Sequence, residues 1–201
     1  MYELMFDLET LDTKPSAVVL SVGVVVWETF YSETTGLIWK PVERFLRVLD
    51  MEEQFARGRT VSQSTLLWWQ QQTPVAKEGA FNPVRRPIKR VLTDLRDMVD
   101  GYGDPSITAF WASPSTFDFP IWEDLAMTFS NYVPWTYRQK YDVRTVVREA
   151  GLSARDHSDS KLTGVPHTPV YDCEWQISLL TAARQKLERR IGKEAGAELF
   201  P

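Results

Sequence analysis

Residues 17–27, Ala17-Val-Val-Leu-Ser-Val-Gly-Val-Val-Val-Trp27, decide the architecture: the run is β-branched and too dense in valine for an exposed helix, so it reads as a core strand. Just upstream, residues 2–8 (Tyr2-Glu-Leu-Met-Phe-Asp-Leu8) are short and apolar-rich and read as a neighbouring strand. Residues 36–39 with 45–49 form a third strand region, interrupted at Pro41, which completes an antiparallel start to the sheet. Beyond Asp50 the spacing turns helical. Ser64 is placed to cap a helix carrying Leu66, Leu67, Trp68 and Trp69, and Thr73-Pro74 is a cap followed by proline in the first turn. Ile88, Val91, Leu92, Leu95 and Val99 make an apolar stripe that Gly101 and Gly103 end. A strand over 106–112 and helices over 118–129, 142–150 and 172–191 follow. The loop 153–169 holds both histidines and two prolines and shows no apolar period, so it is expected to be mobile or shaped by a ligand. Strands first, then helices alternating with a further strand, predict an α/β protein with a mixed sheet and helices on its faces.

A chain of 201 residues with 43% hydrophobic and 25% charged side chains has the composition of a folded globular protein, expected here as one domain over residues 1–201. The net charge of −4 gives no whole-molecule attraction for nucleic acid or an anionic membrane, so any polyanion has to be met locally. Basic residues are concentrated in the second quarter: residues 1–50 carry 4 basic and 8 acidic side chains, residues 51–100 carry 8 and 6. Cys173 alone permits neither an intramolecular disulfide nor a cysteine zinc cage. With no signal-like or transmembrane-length apolar segment, a soluble, cytoplasmic protein without a membrane partner is expected.

Asp7 and Glu9 stand at i and i+2 in the first strand, so both side chains project from one face of the sheet. No basic residue precedes Lys14 to pair them locally. Two carboxylates about 4 Å apart repel by roughly 4 kcal/mol at an effective dielectric near 20, so such a pair either holds protons or binds a divalent cation. Taken alone, the pair reads first as a strand end at a solvated sheet edge. Two further motifs change that weighting: Phe117-Asp118 at a strand-to-helix junction, and His167-x4-Asp172 at the start of the last helix. Five residues on an α-helix leave His167 and Asp172 about 140° apart, so both serve one site only if His167 lies on the loop before the helix. Pro169, acceptable in a first turn, agrees.

Asp-x-Glu, Phe-Asp and His-x4-Asp in that order resemble the DEDDh 3′-to-5′ exonucleases of the ribonuclease H-like superfamily. Within it, Phe6-Asp-Leu-Glu-Thr-Leu11, Thr65-Leu-Leu-Trp-Trp-Gln-Gln-Gln72, Trp111-Ala-Ser-Pro-Ser-Thr-Phe-Asp118 and Asp142-Val-Arg-Thr145 are most similar to small phage exonucleases and mycobacterial-type exoribonucleases. The chain departs from them at Ala112-Ser-Pro, where Gly-Asn-Gly is frequent, and at Pro169-Val, where Ala-Leu is usual; both departures spare the acids.

The resemblance implies a ribonuclease H-like sheet, its first three strands antiparallel and the rest parallel, flanked by helices. It implies that Asp7, Glu9, Asp118 and Asp172 hold two divalent cations with Asp7 bridging them, and that His167 deprotonates the attacking water. Oxygen ligands suit Mg²⁺ or Mn²⁺. Thr10 and Leu11 would line the pocket for the last nucleotide, with Phe117 beside it. Trp68 and Trp69, about 100° apart on a helix, offer either a stacking surface or core packing. The basic residues around 85–96 could touch phosphate or form a solvated face, and those from Arg184 to Lys193 are accounted for by the helix dipole. His157 reads as an ordinary loop histidine. The implied activity is metal-dependent 3′-5′ exonucleolysis of single-stranded DNA or RNA ends with release of 5′-mononucleotides. The alternatives are a catalytically silent nucleic-acid-binding domain of the same fold and a nucleotide metallohydrolase. The relatives are often dimers, so a homodimer is an expected form.

Overall fold

The computed structural model describes residues 2–103, 107–130 and 132–199, with side chains described as far as residue 191. Its centre is a five-stranded sheet in the order β3-β2-β1-β4-β5, built from β1 (Tyr2–Thr10), β2 (Val19–Ser32), β3 (Gly36–Val48), β4 (Ile107–Ala112) and β5 (Lys140–Asp142). The first three strands pair antiparallel, and β4 and β5 join parallel. The helices are α1 (Met51–Phe55), α2 (Gln63–Gln70), α3 (Pro74–Ala80), α4 (Ile88–Asp100), α5 (Ser115–Phe129), α6 (Val143–Glu149) and α7 (Pro169–Leu199).

Strand alternation sorts β1 between two cores. Leu4, Phe6 and Leu8 face α4 and α5, where Phe6 meets Trp122 and Trp135 edge-on at 5.2 and 5.3 Å. Met5 faces the other way, with Val25, Trp111, Cys173 and Ile177, against α6 and α7. Asp7 and Glu9 share the parity of Met5 and therefore lie on the side of the sheet that α7 covers.

Several boundaries differ from the sequence reading. β3 runs unbroken through Pro41 because it is an edge strand, and a register shift at Val26/Trp27 takes up the missing donor. Ser62, not Ser64, caps α2, its hydroxyl accepting from the Thr65 amide at 3.1 Å. The short strand β5 was not expected. It ends at Asp142, whose carboxylate accepts from the Thr145 amide and so starts α6 one residue later than the reading had it. Ser106, the expected start of β4, and the side chain of Lys193 lie outside the described residues. Arg184 is not at a helix end at all: α7 continues beyond it, and its guanidinium grips both carboxylate oxygens of Glu3 at 2.6 Å while lying over Trp111. Among the described residues no helix is long and apolar enough to cross a membrane.

One glycine sets the approach of α7. Gly23 lies opposite Asp7 in the β1–β2 ladder, and a Cβ there would sit 2.4 Å from Pro169 Cβ and 2.5 Å from its carbonyl carbon. Only hydrogen at this position lets the first turn of α7 close on the sheet. Gly23→Ala should therefore destabilise the protein by about 1–3 kcal/mol through overpacking and lower turnover more steeply than stability, because Asp172 rides on the displaced turn. Thermal unfolding beside activity checks this; wild-type values for both would show that α7 is free to shift.

Candidate active site

The four acids come from three stretches of chain, and each arrives by a distinct local device. Asp7 and Glu9 come in on β1. Asp118 lies in the first turn of α5, which begins at Ser115 because Pro114 precedes it, and its Oδ1 accepts the Leu8 amide at 3.0 Å. That amide is available because β4 pairs with β1 only as far as Met5. Asp172 lies in the first turn of α7, and its Oδ2 accepts the amide of His167 at 2.9 Å, tying the end of the loop to the helix. His167 precedes the helix by two residues, as the spacing predicts. It is the one non-glycine residue with positive φ, 65°, among the described residues. Its ring stands edge-on to Trp68, centroids 4.7 Å apart.

One ligand atom each from Glu9, His167 and Asp172 all lie within 4.8 Å of one another. Asp7 is beside them, buried, its Oδ1 accepting from Gln176 Nε2 at 2.9 Å. Gln176, one helical turn after Asp172, went unnoticed in the sequence, although i, i+4 spacing from a candidate ligand is a usable signal.

Burial dominates the electrostatics. It holds the Asp7 carboxyl well above the usual range, reinforced by Asp118, Asp172 and Glu9 and opposed by the Gln176 amide. Burial, then the charges of Asp172 and Asp118, push Glu9 up to about 8. Asp118 is pushed up to about 8 by burial against the pull of the Leu8 amide. Asp172 reaches about 6, again by burial and against the His167 amide. Burial lowers His167 and so favours its neutral imidazole. None of the four acids takes part in an ion pair among the described residues. Arg144 lowers Asp118 only against the larger effect of burial, and a buried, oxygen-donor cluster of like charge is chemically matched to hard divalent metal.

Each of these carboxyls holds its proton more tightly in the folded than in the unfolded chain, so between about pH 4 and 8 the native state binds more protons and stability falls as pH rises. The metal-free protein should accordingly melt lower at about pH 9 than at about pH 6, and Mg²⁺ or Mn²⁺ should raise the melting temperature more at the higher pH. Scanning calorimetry with and without metal checks this; a melting temperature that climbs with pH would contradict it.

Two cavities adjoin at the acids. One, of about 600 Å³, is walled by Thr10, Thr65, Trp68, Pro114 and Phe117. The other, of about 810 Å³, runs between α6 and α7. Of the residues expected to contact substrate, Thr10, Trp68 and Phe117 line the first cavity, whereas Leu11 and Trp69 line neither. Both are buried in a small core with Val18 and Leu20, and Trp69 Nε1 donates to the Thr10 carbonyl at 2.9 Å. They support the wall from behind. Residues of the basic 85–96 stretch line neither cavity, and Arg90 and Arg96 pair with Asp94 and Asp97. His157 is an anchoring residue: its Nε2 lies 3.0 Å from Ser178 Oγ, which donates to Asp159 Oδ2 at 2.8 Å, so the loop is fastened to α7.

Known proteins share the fold. The exodeoxyribonuclease of Enterobacteria phage T4 is 23% identical over 206 residues, covering 91% of this chain and 89% of its own length. The nuclease domain of 3′hExo, a DEDDh family member solved with rAMP bound, superposes with a TM-score of 0.51 at 12% identity, covering 93% of this chain and 92% of that one. The shared architecture is the ribonuclease H-like mixed sheet. Because the profile of the Rv2179c-like 3′-5′ exoribonuclease domain matches residues 2–183, nearly the whole of this sheet and its helices, the chain belongs to that family of 3′-5′ exonucleases.

Proposed function

We propose that the protein hydrolyses the last phosphodiester bond of single-stranded nucleic acid, RNA or DNA, in the cytoplasm and releases 5′-mononucleotides. The observation that supports this most strongly is the gathering of Glu9, His167 and Asp172 beside buried Asp7, none of these acids in an ion pair among the described residues. Asp7, Glu9, Asp118 and Asp172 would hold two Mg²⁺ or Mn²⁺ ions, with Asp7 shared. Bound there, such a pair supplies charge stabilisation to the attacking and leaving oxygens of an in-line displacement.

The chain's own residues do the rest. Neutral His167 accepts the proton of the attacking water at a ring nitrogen, and the T-shaped contact with Trp68 fixes the plane of the imidazole. The amide of His167, bound to Asp172, fixes where that ring starts. Gln176 holds one oxygen of Asp7 and thereby orients the other. Trp68 and Phe117 present rings to the terminal base, and Thr10 meets its sugar.

The family description names an exoribonuclease and the phage relative a deoxyribonuclease, so sugar preference is the first thing to measure. Matched 5′-labelled ribo- and deoxyribo-oligomers in Mn²⁺ should both shorten stepwise from the 3′ end. Oligomers that stay intact would contradict the proposal and favour a silent binding domain; internal cuts would contradict it as well.

A further inference from the structure

A phosphodiester poised at the acids has one nucleoside on one side and the remaining strand on the other, and these need different walls. The aromatic cavity suits a base. The second cavity, reached through the same Asp7, Glu9, Arg144 and His167, is walled by Arg148, Arg155, Trp175 and Gln176.

Its basic wall follows from local structure. Val143 and Val147 are buried against the sheet, which leaves Arg144 and Arg148, at i and i+4, together on an exposed face of α6. Arg155 joins them from a 3₁₀ turn at Ala154–Asp156. Neither Arg148 nor Arg155 enters an ion pair among the described residues. In a chain of net charge −4, they place two guanidinium groups on the wall of a cavity that Asp7, Glu9 and Asp172 also line. A second observation points the same way: Gln176, buried in the same wall, has its Oε1 without a hydrogen-bond partner among the described residues. A buried acceptor of this kind calls for an incoming donor, such as a ribose hydroxyl or an ordered water.

We propose that the cavity between α6 and α7 is the site for the strand on the 5′ side of the scissile bond, with Arg148 and Arg155 on its phosphates. This deepens the exonuclease reading and rests on it.

The test pairs binding with turnover. Anisotropy of a 5′-fluorescein oligomer of about twelve nucleotides, titrated in EDTA across KCl concentrations, reads the number of phosphates neutralised. Each single-strand contact contributes about 0.7 to the slope of log Kd against log salt, so R148A/R155A should lower that slope by about 1.4 and weaken binding roughly tenfold or more at low salt. R148K/R155K should keep most of the slope. In Mn²⁺, the ratio of kcat/KM for the oligomer to kcat/KM for a dinucleotide lacking a 5′-phosphate, which carries only the scissile phosphate, should fall by a similar factor in the alanine variant. An unchanged slope and ratio would overturn the proposal. So would equal losses on oligomer and dinucleotide, which would place these arginines at the scissile phosphate or in the fold. If the wild-type protein released no mononucleotide from either substrate, the exonuclease reading would fail instead, and the salt slope would still report on the arginines.

Discussion

Asp7→Asn should give a protein that is folded, more heat-stable at alkaline pH and inactive. The substitution keeps the oxygen that accepts from Gln176 but removes the charge that burial and three neighbouring acids oppose. Losing the carboxylate proposed to be shared between both cations forfeits several kcal/mol of transition-state stabilisation, a fall in kcat on the order of 10³-fold or more. In the metal-free protein the same change relieves repulsion. At about pH 8 each kcal/mol regained should raise the melting temperature by roughly 2–4 °C for a chain of this size. At about pH 5 the gain should vanish, because the wild-type carboxyl already holds its proton there. Activity assays beside melting curves at both pH values decide it; a variant that stays active, or that melts lower at alkaline pH, would show that Asp7 is not at the centre of the cluster.

His167→Ala should lower kcat by about 10²–10⁴ and leave metal affinity within a few-fold of wild type, as expected for a proton acceptor rather than a ligand. The pH profile carries the sharper signature. Burial places the imidazole below its ordinary range, so wild-type kcat should rise with pH through that lowered value, and the alanine variant should lose this limb. The closeness of His167 to Glu9 and Asp172 makes the other outcome concrete. Should metal affinity fall tenfold or more while the pH limb persists, His167 is a ligand and the acceptor lies elsewhere. His167→Gly provides a further comparison. At φ 65° glycine is unstrained where alanine is not, so the glycine variant should be the more stable of the two, with the same catalytic loss.

The sheet could be read from residues 2–27 because valine density and alternation there agree with burial on both faces, and the parity of Asp7 and Glu9 followed directly. The loop position of His167 was legible from the arithmetic of five residues on a helix. Three things were not. β5 is only Lys140–Asp142, too short to show a period. Ser62 and Ser64 are equivalent as sequence, and only the register of Leu66 to Trp69 against the core selects the first. Gly23 carries no signal of its own inside the valine run, and its purpose appears only when α7, about 150 residues later, is laid on it. Trp68 and Trp69 were left open between stacking and packing, and the fold divides them: Trp69 is walled in behind the cavity, and Trp68 forms its surface.

The loop from His157 to His167 is pinned at both ends, by Ser178 near its start and by Asp172 at its finish. A segment moored in this way does not have to be recruited by the arriving strand. The entropy of arranging it is spent when the polypeptide folds, not at each encounter, so successive cleavages along one strand meet a catalyst already cocked. Short, weakly held ends, which offer little binding energy to drive any rearrangement, should then be trimmed about as readily as long ones once they reach the acids.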